Sequence, residues 1–310
     1  MRKINLVCAT DNNFVQHCII MLVSFARLNN GSQIFILTEG LTNRNKEMIE
    51  LELKQYDCSL NIIKVNQELL SQLPMPVGKE FSHISIATYY RLFLSTLLPK
   101  SISKVIYMDC DIVVKTKLDN LFLTNITDFA VAAVSQYTGS DNSVRLGINV
   151  KYDYFNAGVL LVNLEFWRNH NIEQKFNNYI SKNHSKIKYH DQDVLNAVLY
   201  DKRLPLIPRY NFLFPFFNKK FVENFIPIFN ESNNFKNEII ECLIDSNIVI
   251  HYTSSPKPWQ KRCVHPLREE YFSISKSTIN FRKIKVPSFL VSEIIILTNK
   301  LKSYISKLIK

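Results

Sequence analysis

Apolar β-branched runs alternate with helical patterns over the first 65 residues, and that order leaves few folds open. Ile4 to Ala9 is a short apolar run closed by Thr10-Asp11-Asn12-Asn13, after which Ile19, Ile20, Leu22, Val23 and Leu28 fall at helical spacing. Gln33 to Leu37 predicts a second strand, Thr42 caps a helix running to about Tyr56, and Leu60 to Val65 predicts a third strand. Strands alternating with helices imply parallel βαβ units in an α/β fold. The loop Thr10 to Asn13 then lies at the carboxyl end of the first strand, the edge where open α/β sheets bind ligands. It has no glycine-rich phosphate cradle, so a GxGxxG dinucleotide fold finds no support.

A second apolar run, Val105-Ile106-Tyr107-Met108, delivers Asp109-Cys110-Asp111 to its own C-terminal end. In a regular strand Asp109 and Asp111 point to opposite faces, so serving one ion requires the backbone to turn just after Met108. Paired carboxylates suit a hard divalent cation such as Mg²⁺ or Mn²⁺, which usually shares its ligands with substrate phosphates. The same two residues also read as turn formers at a strand end.

Other positions carry a bland and a functional reading side by side. Arg91, in the apolar helix expected between Ser82 and Pro99, reads best as a snorkelling surface arginine, the alternative being a charge aimed at a diphosphate or an aspartate. Residues 135 to 153 turn polar and suggest a mobile loop over a substrate. Asn156, beside Ala157 and Gly158, stands at the start of a strand where something must approach the backbone closely. His190-Asp191-Gln192-Asp193 opens a helix, and acids in a first turn ordinarily complement its dipole. His251 ends a strand, a place more often structural than ligating. Lys257, between Pro256 and Pro258, is held as a fixed phosphate contact would be.

A chain of 310 residues with 46% apolar side chains buries a full core, and we expect one catalytic domain, residues 1–272, with a tail, 273–310. Its net charge of +11 predicts an anionic partner. In the tail Ile294, Leu297, Leu301, Tyr304 and Leu308 recur at spacings of three and four among lysines, predicting a basic amphipathic helix at a membrane surface, with Arg282, Lys283 and Lys285 adding attraction to anionic lipid. Six cysteines without CxxC pairs favour reduced thiols in the cytosol. No signal peptide and no bilayer-length apolar run is seen, so the expected place is the cytoplasmic side.

Taken together, from Ile4 to about Phe272, these stretches resemble the family-eight retaining glycosyltransferases, in particular the bacterial lipopolysaccharide galactosyl- and glucosyltransferases. The resemblance is carried by Ala9 to Phe14, His83 to Arg91, Asp109-Cys110-Asp111, Phe155 to Val159, Asp191-Gln192-Asp193, and His251-Tyr252 with Lys257-Pro258-Trp259. It implies a single nucleotide-binding Rossmann-like domain with a mixed central sheet of the GT-A type. It also implies that Ala9, Asp11 and Asn13 hold the uracil and ribose of a UDP-sugar, that Arg91 reaches the sugar and the carboxylates, and that Asp109, Asp111 and His251 bind Mn²⁺. Lys257 and Ser254 would lie on the phosphates, and Asn156, Asp191 and Gln192 around the donor sugar. The sequence departs from the pattern at Asn12, where many relatives carry an acid, at Thr253 and Ser254, where a small residue and glycine are common, and at Gln136, where some relatives carry an acid toward the acceptor.

The leading expectation is transfer of galactose or glucose from UDP-galactose or UDP-glucose to a lipopolysaccharide or lipooligosaccharide acceptor, by a peripheral enzyme on the cytoplasmic face of the inner membrane. Transfer to a protein or another glycan keeps the same donor chemistry. A non-catalytic membrane- or nucleic-acid-binding module is the reading from a different class. Nucleic acid is not expected, because the aromatics cluster in apolar runs that core packing explains.

Overall fold

The computed structural model describes residues 3–70, 86–136, 140–224 and 232–279. β1 (Asn5–Ala9), β2 (Gln33–Thr38) and β3 (Ser59–Lys64) pair in parallel, with the helices Val15–Ala26 and Asn43–Leu53 as crossovers. Thr42 caps the second of these by accepting from the Asn45 amide at 3.2 Å. β4 (Lys104–Met108) lies parallel to β1 on its other side.

Beyond β4 the simple alternation ends. β5 (Ile112–Val114) leaves the main sheet, β6 (Val131–Ser135) follows, and β7 (Phe155–Asn163) inserts antiparallel between β4 and β6. β8 (Arg203–Leu206) runs parallel to β6, giving the seven-strand order β3-β2-β1-β4-β7-β6-β8. The sheet is therefore mixed, as the resemblance implied, with the parallel βαβ units that strand–helix alternation implied confined to its first strands. β9 (Phe212–Leu213) and β10 (Val249–His251) join β5 in a second sheet of order β5-β10-β9.

Side chains along the central strands alternate between two cores, because successive residues of a strand face opposite sides. Leu6, Ile34, Ile36, Ile106, Met108 and Leu161 pack with Val15–Ala26 and the small sheet. Val7, Phe35, Tyr107, Leu160 and Val162 pack with Trp167, Phe176, Val194 and Leu195 on the other side. Coverage on both faces explains why these strands read as nearly continuous apolar runs.

Two expectations change, at Arg91 and in the polar stretch after β6. Residues 86–97 form a 3-10 helix, Ile86–Phe93, followed by the short α-helix Leu94–Leu97, and Arg91 is buried there rather than snorkelling to the surface. The polar stretch after β6 is not simply a loop. It contains the helix Ser140–Leu146, and its continuation buries Leu146, Ile148 and Tyr154 in a small cluster. The aromatics Phe212, Phe216 and Phe235 are core. All six cysteines are free thiols. The helix Arg268–Lys276 packs Tyr271, Phe272 and Ser275 inward and so crosses residue 272. His83 to Ser85 and the tail from residue 280 lie outside the described residues. Among the described residues no helix is long and apolar enough to cross a membrane.

Candidate active site

β1 and β4 are parallel neighbours, so the Thr10 to Asn13 loop and Asp109 to Asp111 leave the sheet at one edge. β7 is antiparallel to β4, so its first residues return to that edge, and the Asp109 amide donates to the Gly158 carbonyl at 2.9 Å. The chain leaves β4 at Met108 and re-enters a strand at Ile112, which is the turn needed for both aspartates to face one point. Register in the small sheet completes the set. Ile112 pairs with His251, and the Tyr252 amide donates to the Asp111 carbonyl at 3.0 Å.

His251 Nε2 stands 3.2 Å from Asp111 Oδ1 and 3.9 Å from Asp109 Oδ2. Ligand atoms of Asp109, Asp111 and His251 all lie within 4.8 Å of one another, a spacing that fits one divalent ion with two oxygen donors and one imidazole. The backbone is shaped for that ring, since a β-carbon on Gly158 would lie 2.0 Å from His251 Cε1. Lys257 Nζ donates to Asp111 Oδ2 at 2.7 Å and to the Tyr252 carbonyl at 2.5 Å. Burial pushes Asp111 up, but Lys257 and His251 more than offset it and hold this carboxyl well below the usual carboxylate range.

Arg91 bridges two acids. Its Nη2 lies 2.6 Å from Asp109 Oδ1 and its Nε 2.9 Å from Asp191 Oδ2, while its Nη1 donates to the Ala157 carbonyl at 2.6 Å. Its carbon Cζ sits 4.4 Å above the Tyr107 ring. Burial opposes the guanidinium charge, and Asp109 and Asp191 outweigh it. For Asp191 the balance is reversed: burial pushes its carboxyl up to about 7, against the pull of Arg91 and with the help of Asp109.

A layer of amides lies beside these charges. Gln192 Oε1 accepts from the Ala157 amide at 3.0 Å and from Asn156 Nδ2 at 3.2 Å, and Gln192 Nε2 donates to the Tyr154 hydroxyl at 3.1 Å. Asn156 Nδ2 also donates to Gln136 Oε1 at 2.8 Å. Asp193 accepts from Arg145, from the Tyr154 hydroxyl and from the Lys188 and Tyr189 amides, and so anchors the start of the helix His190–Leu199. His190, at its first position, has the left-handed φ of 49°.

Ala9, Asp11, Asn13, Arg91, Asp109, Asp111, Asn156, Asp191, Gln192, His251 and Lys257 line one cleft of about 900 Å³. Ser254 does not line it; Thr253 does, and Ser254 has an ordinary backbone φ. Asp11 Oδ1 accepts from the Asn13 and Phe14 amides at 2.8 and 3.0 Å, which fixes the loop. Asn12 turns away to pin the neighbouring loop, donating to the Gly40 carbonyl and accepting from the Thr42 amide, both at 2.9 Å. An acid there could accept but not donate. Asn211, Tyr154 and Arg145 belong to this assembly and stand in no motif noted above. Their only sequence signal is a polar residue next to apolar runs, as in Tyr210-Asn211-Phe212.

The model of the glycosyl transferase family 8 matches residues 5–263, and the chain belongs to that family. It is 28% identical over 283 residues to General stress protein A of Bacillus subtilis, covering 88% of this chain and 94% of that protein. It is 26% identical over 284 residues to the lipopolysaccharide 1,3-galactosyltransferase of Salmonella typhimurium, covering 89% and 78%. The galactosyltransferase LgtC, solved with donor and acceptor sugar analogs, superposes with a TM-score of 0.75 at 24% identity, covering 94% of this chain and 100% of that one. The chain is thus a glycosyltransferase with the mixed-sheet GT-A architecture.

Proposed function

We propose that this glycosyltransferase moves galactose or glucose, with retention of configuration, from UDP-galactose or UDP-glucose to a lipopolysaccharide or lipooligosaccharide acceptor. The observation that carries the reading is the convergence of Asp109, Asp111 and His251, drawn from three separate strand ends, on one cleft with the Ala9 to Asn13 loop. Asp109, Asp111 and His251 would hold Mn²⁺ or Mg²⁺. When bound, the ion neutralises charge that develops on the UDP leaving group. Lys257 reaches the same place from the opposite loop and stabilises that charge more in the transition state than before it.

Gln192 and Asp191 bound the sugar side. Both lone pairs of Gln192 Oε1 are engaged, and Asp191 is buried against Arg91. An engaged amide is a poor nucleophile, which supports attack by the acceptor hydroxyl on the face from which UDP departs, with the Asp191 carboxylate as the alternative nucleophile. A lipopolysaccharide acceptor is supported by the name of the Salmonella relative and by the net charge of +11, which favours an anionic glycolipid. The basic pattern at residues 286–310 would hold the enzyme at the cytoplasmic face of the inner membrane.

The test is turnover of a panel of UDP-hexoses with Mn²⁺ by the intact protein and by Asp111→Ala. Turnover of one UDP-hexose that vanishes in the variant supports the metal assignment and identifies the donor. A folded wild-type protein with neither turnover nor metal-dependent UDP binding refutes the reading.

A further inference from the structure

The imidazole of the metal set and the amides of the sugar side meet at one buried residue, Asn211. It immediately precedes β9, whose parallel pairing with β10 places Leu213 beside His251 and brings Asn211 against the far edge of the imidazole ring. Asn211 is fully buried. Its Oδ1 is 2.9 Å from His251 Nδ1 and its Nδ2 is 2.8 Å from Asn156 Oδ1.

The direction of every bond in this chain follows from one backbone group. The Gly158 amide can only donate, and it donates to Asn156 at 2.9 Å, so the Asn156 atom facing it is the oxygen. That oxygen also faces Asn211, which must therefore present its amide nitrogen there. The remaining Asn211 atom is an oxygen, which accepts only, so His251 carries its proton on Nδ1. Nε2, 3.2 Å from Asp111 Oδ1 and 3.9 Å from Asp109 Oδ2, is then the ring nitrogen left to ligate a metal. Asn156 passes the same constraint to Gln136 and Gln192 through its own Nδ2.

We propose that Asn211 is a positioning residue that locks His251 in the Nδ1–H tautomer for metal ligation and ties it to the amides around the donor sugar. The proposal rests on the reading of Asp109, Asp111 and His251 as a metal site. Outer partners of a ligating histidine fix its tautomer and orientation, and their loss typically lowers metal affinity or activity by 10- to 100-fold.

Two substitutions separate the two tasks. Asn211→Leu removes both bonds, whereas Asn211→Asp keeps an acceptor for His251 Nδ1–H but turns an acceptor toward Asn156 Oδ1. Three readouts apply: the His251 tautomer by ¹⁵N NMR of the metal-free protein, Mn²⁺ affinity in the presence of UDP by electron paramagnetic resonance, and kcat. The wild-type protein should carry a proton on Nδ1, and its neutral ring should be the Nδ1–H tautomer. Asn211→Leu should show a mixture of tautomers and bind Mn²⁺ about 10- to 100-fold more weakly. Asn211→Asp should keep the tautomer and the Mn²⁺ affinity and lose about 10- to 100-fold in kcat. Should the leucine variant fail to fold, Asn211→Ala takes its place with the same expected losses. A folded Asn211→Leu or Asn211→Ala variant with the wild-type tautomer and Mn²⁺ affinity overturns the proposal. A wild-type protein that binds no Mn²⁺ with UDP instead strikes the metal reading itself, and the metal-free tautomer measurement distinguishes that failure from failure of the Asn211 lock.

Discussion

Gly158 and His251 are in such close register that a β-carbon on the glycine would fall 2.0 Å from Cε1 of the ring. The strand has no room to retreat, because the Gly158 carbonyl is bonded to the Asp109 amide and its own amide to Asn156. Gly158→Ala must therefore push His251 away from Asp109 and Asp111. A displacement near 1 Å in such a site costs on the order of 100-fold in rate, and overpacking costs about 1–3 kcal/mol of stability. Kinetics and denaturant unfolding of the variant test this together. Wild-type turnover would show that the ring has freedom the packing denies.

Arg91 is the only described side chain ion-paired to both Asp109 and Asp191. With side-chain exposures of 5% for Arg91 and 8% for Asp191, neither partner finds water easily if the other is removed. Breaking a buried pair from one side costs about 3–5 kcal/mol. Arg91→Ala should lose about that much in thermal or chemical unfolding. Arg91→Lys, lacking the planar fork, should recover only part of it. A small loss in Arg91→Ala would mean that the two carboxyls relax into solvent.

The pH dependence of stability has a definite sign at Asp191. Burial raises its folded pKa to about 7, above the unfolded value of about 3.9. Between those values the folded protein binds the extra proton, so the contribution of Asp191 to stability is full below pH 4 and is lost as pH rises toward 7. The unfolding free energy of the metal-free wild type, taken relative to Asp191→Asn, should therefore fall across that window. A flat or rising difference would mean that Arg91 dominates and keeps Asp191 ionised throughout.

The sequence made the strand ends legible and left the burial of charge opaque. Val105 to Met108 running into Asp109 and Asp111 announced both a strand and an acidic turn, because apolar period and turn chemistry are local. That Arg91 is buried was not local information: its partners are Asp109 and Asp191, contributed by other segments. The antiparallel entry of β7 was hidden for the same reason, since a strand buried on both faces reads alike in either direction. Asn211 was invisible because its neighbours Tyr210 and Phe212 read as core, and only the register of β9 on β10 brings it to His251.

Lys257 supplies a last prediction. Its ammonium is shared between Asp111 Oδ2 and the Tyr252 carbonyl, and its loop is clamped from below, with Arg268 Nε donating to the Pro258 carbonyl at 2.8 Å and the Lys257 amide to Gln260 Oε1 at 2.7 Å. A side chain held this way loses little further freedom on meeting a diphosphate, so most of its charge-assisted bond appears as affinity. Bonds to charged groups contribute about 1.5–3 kcal/mol. Lys257→Ala should accordingly weaken UDP binding by about 10- to 100-fold, as measured by calorimetry at fixed Mn²⁺. Loosening the clamp with Arg268→Met should give a smaller loss in the same direction, because the cation remains but must be ordered on binding. Equal affinity for UDP in Lys257→Ala and wild type would confine this lysine to neutralising Asp111 in the free enzyme.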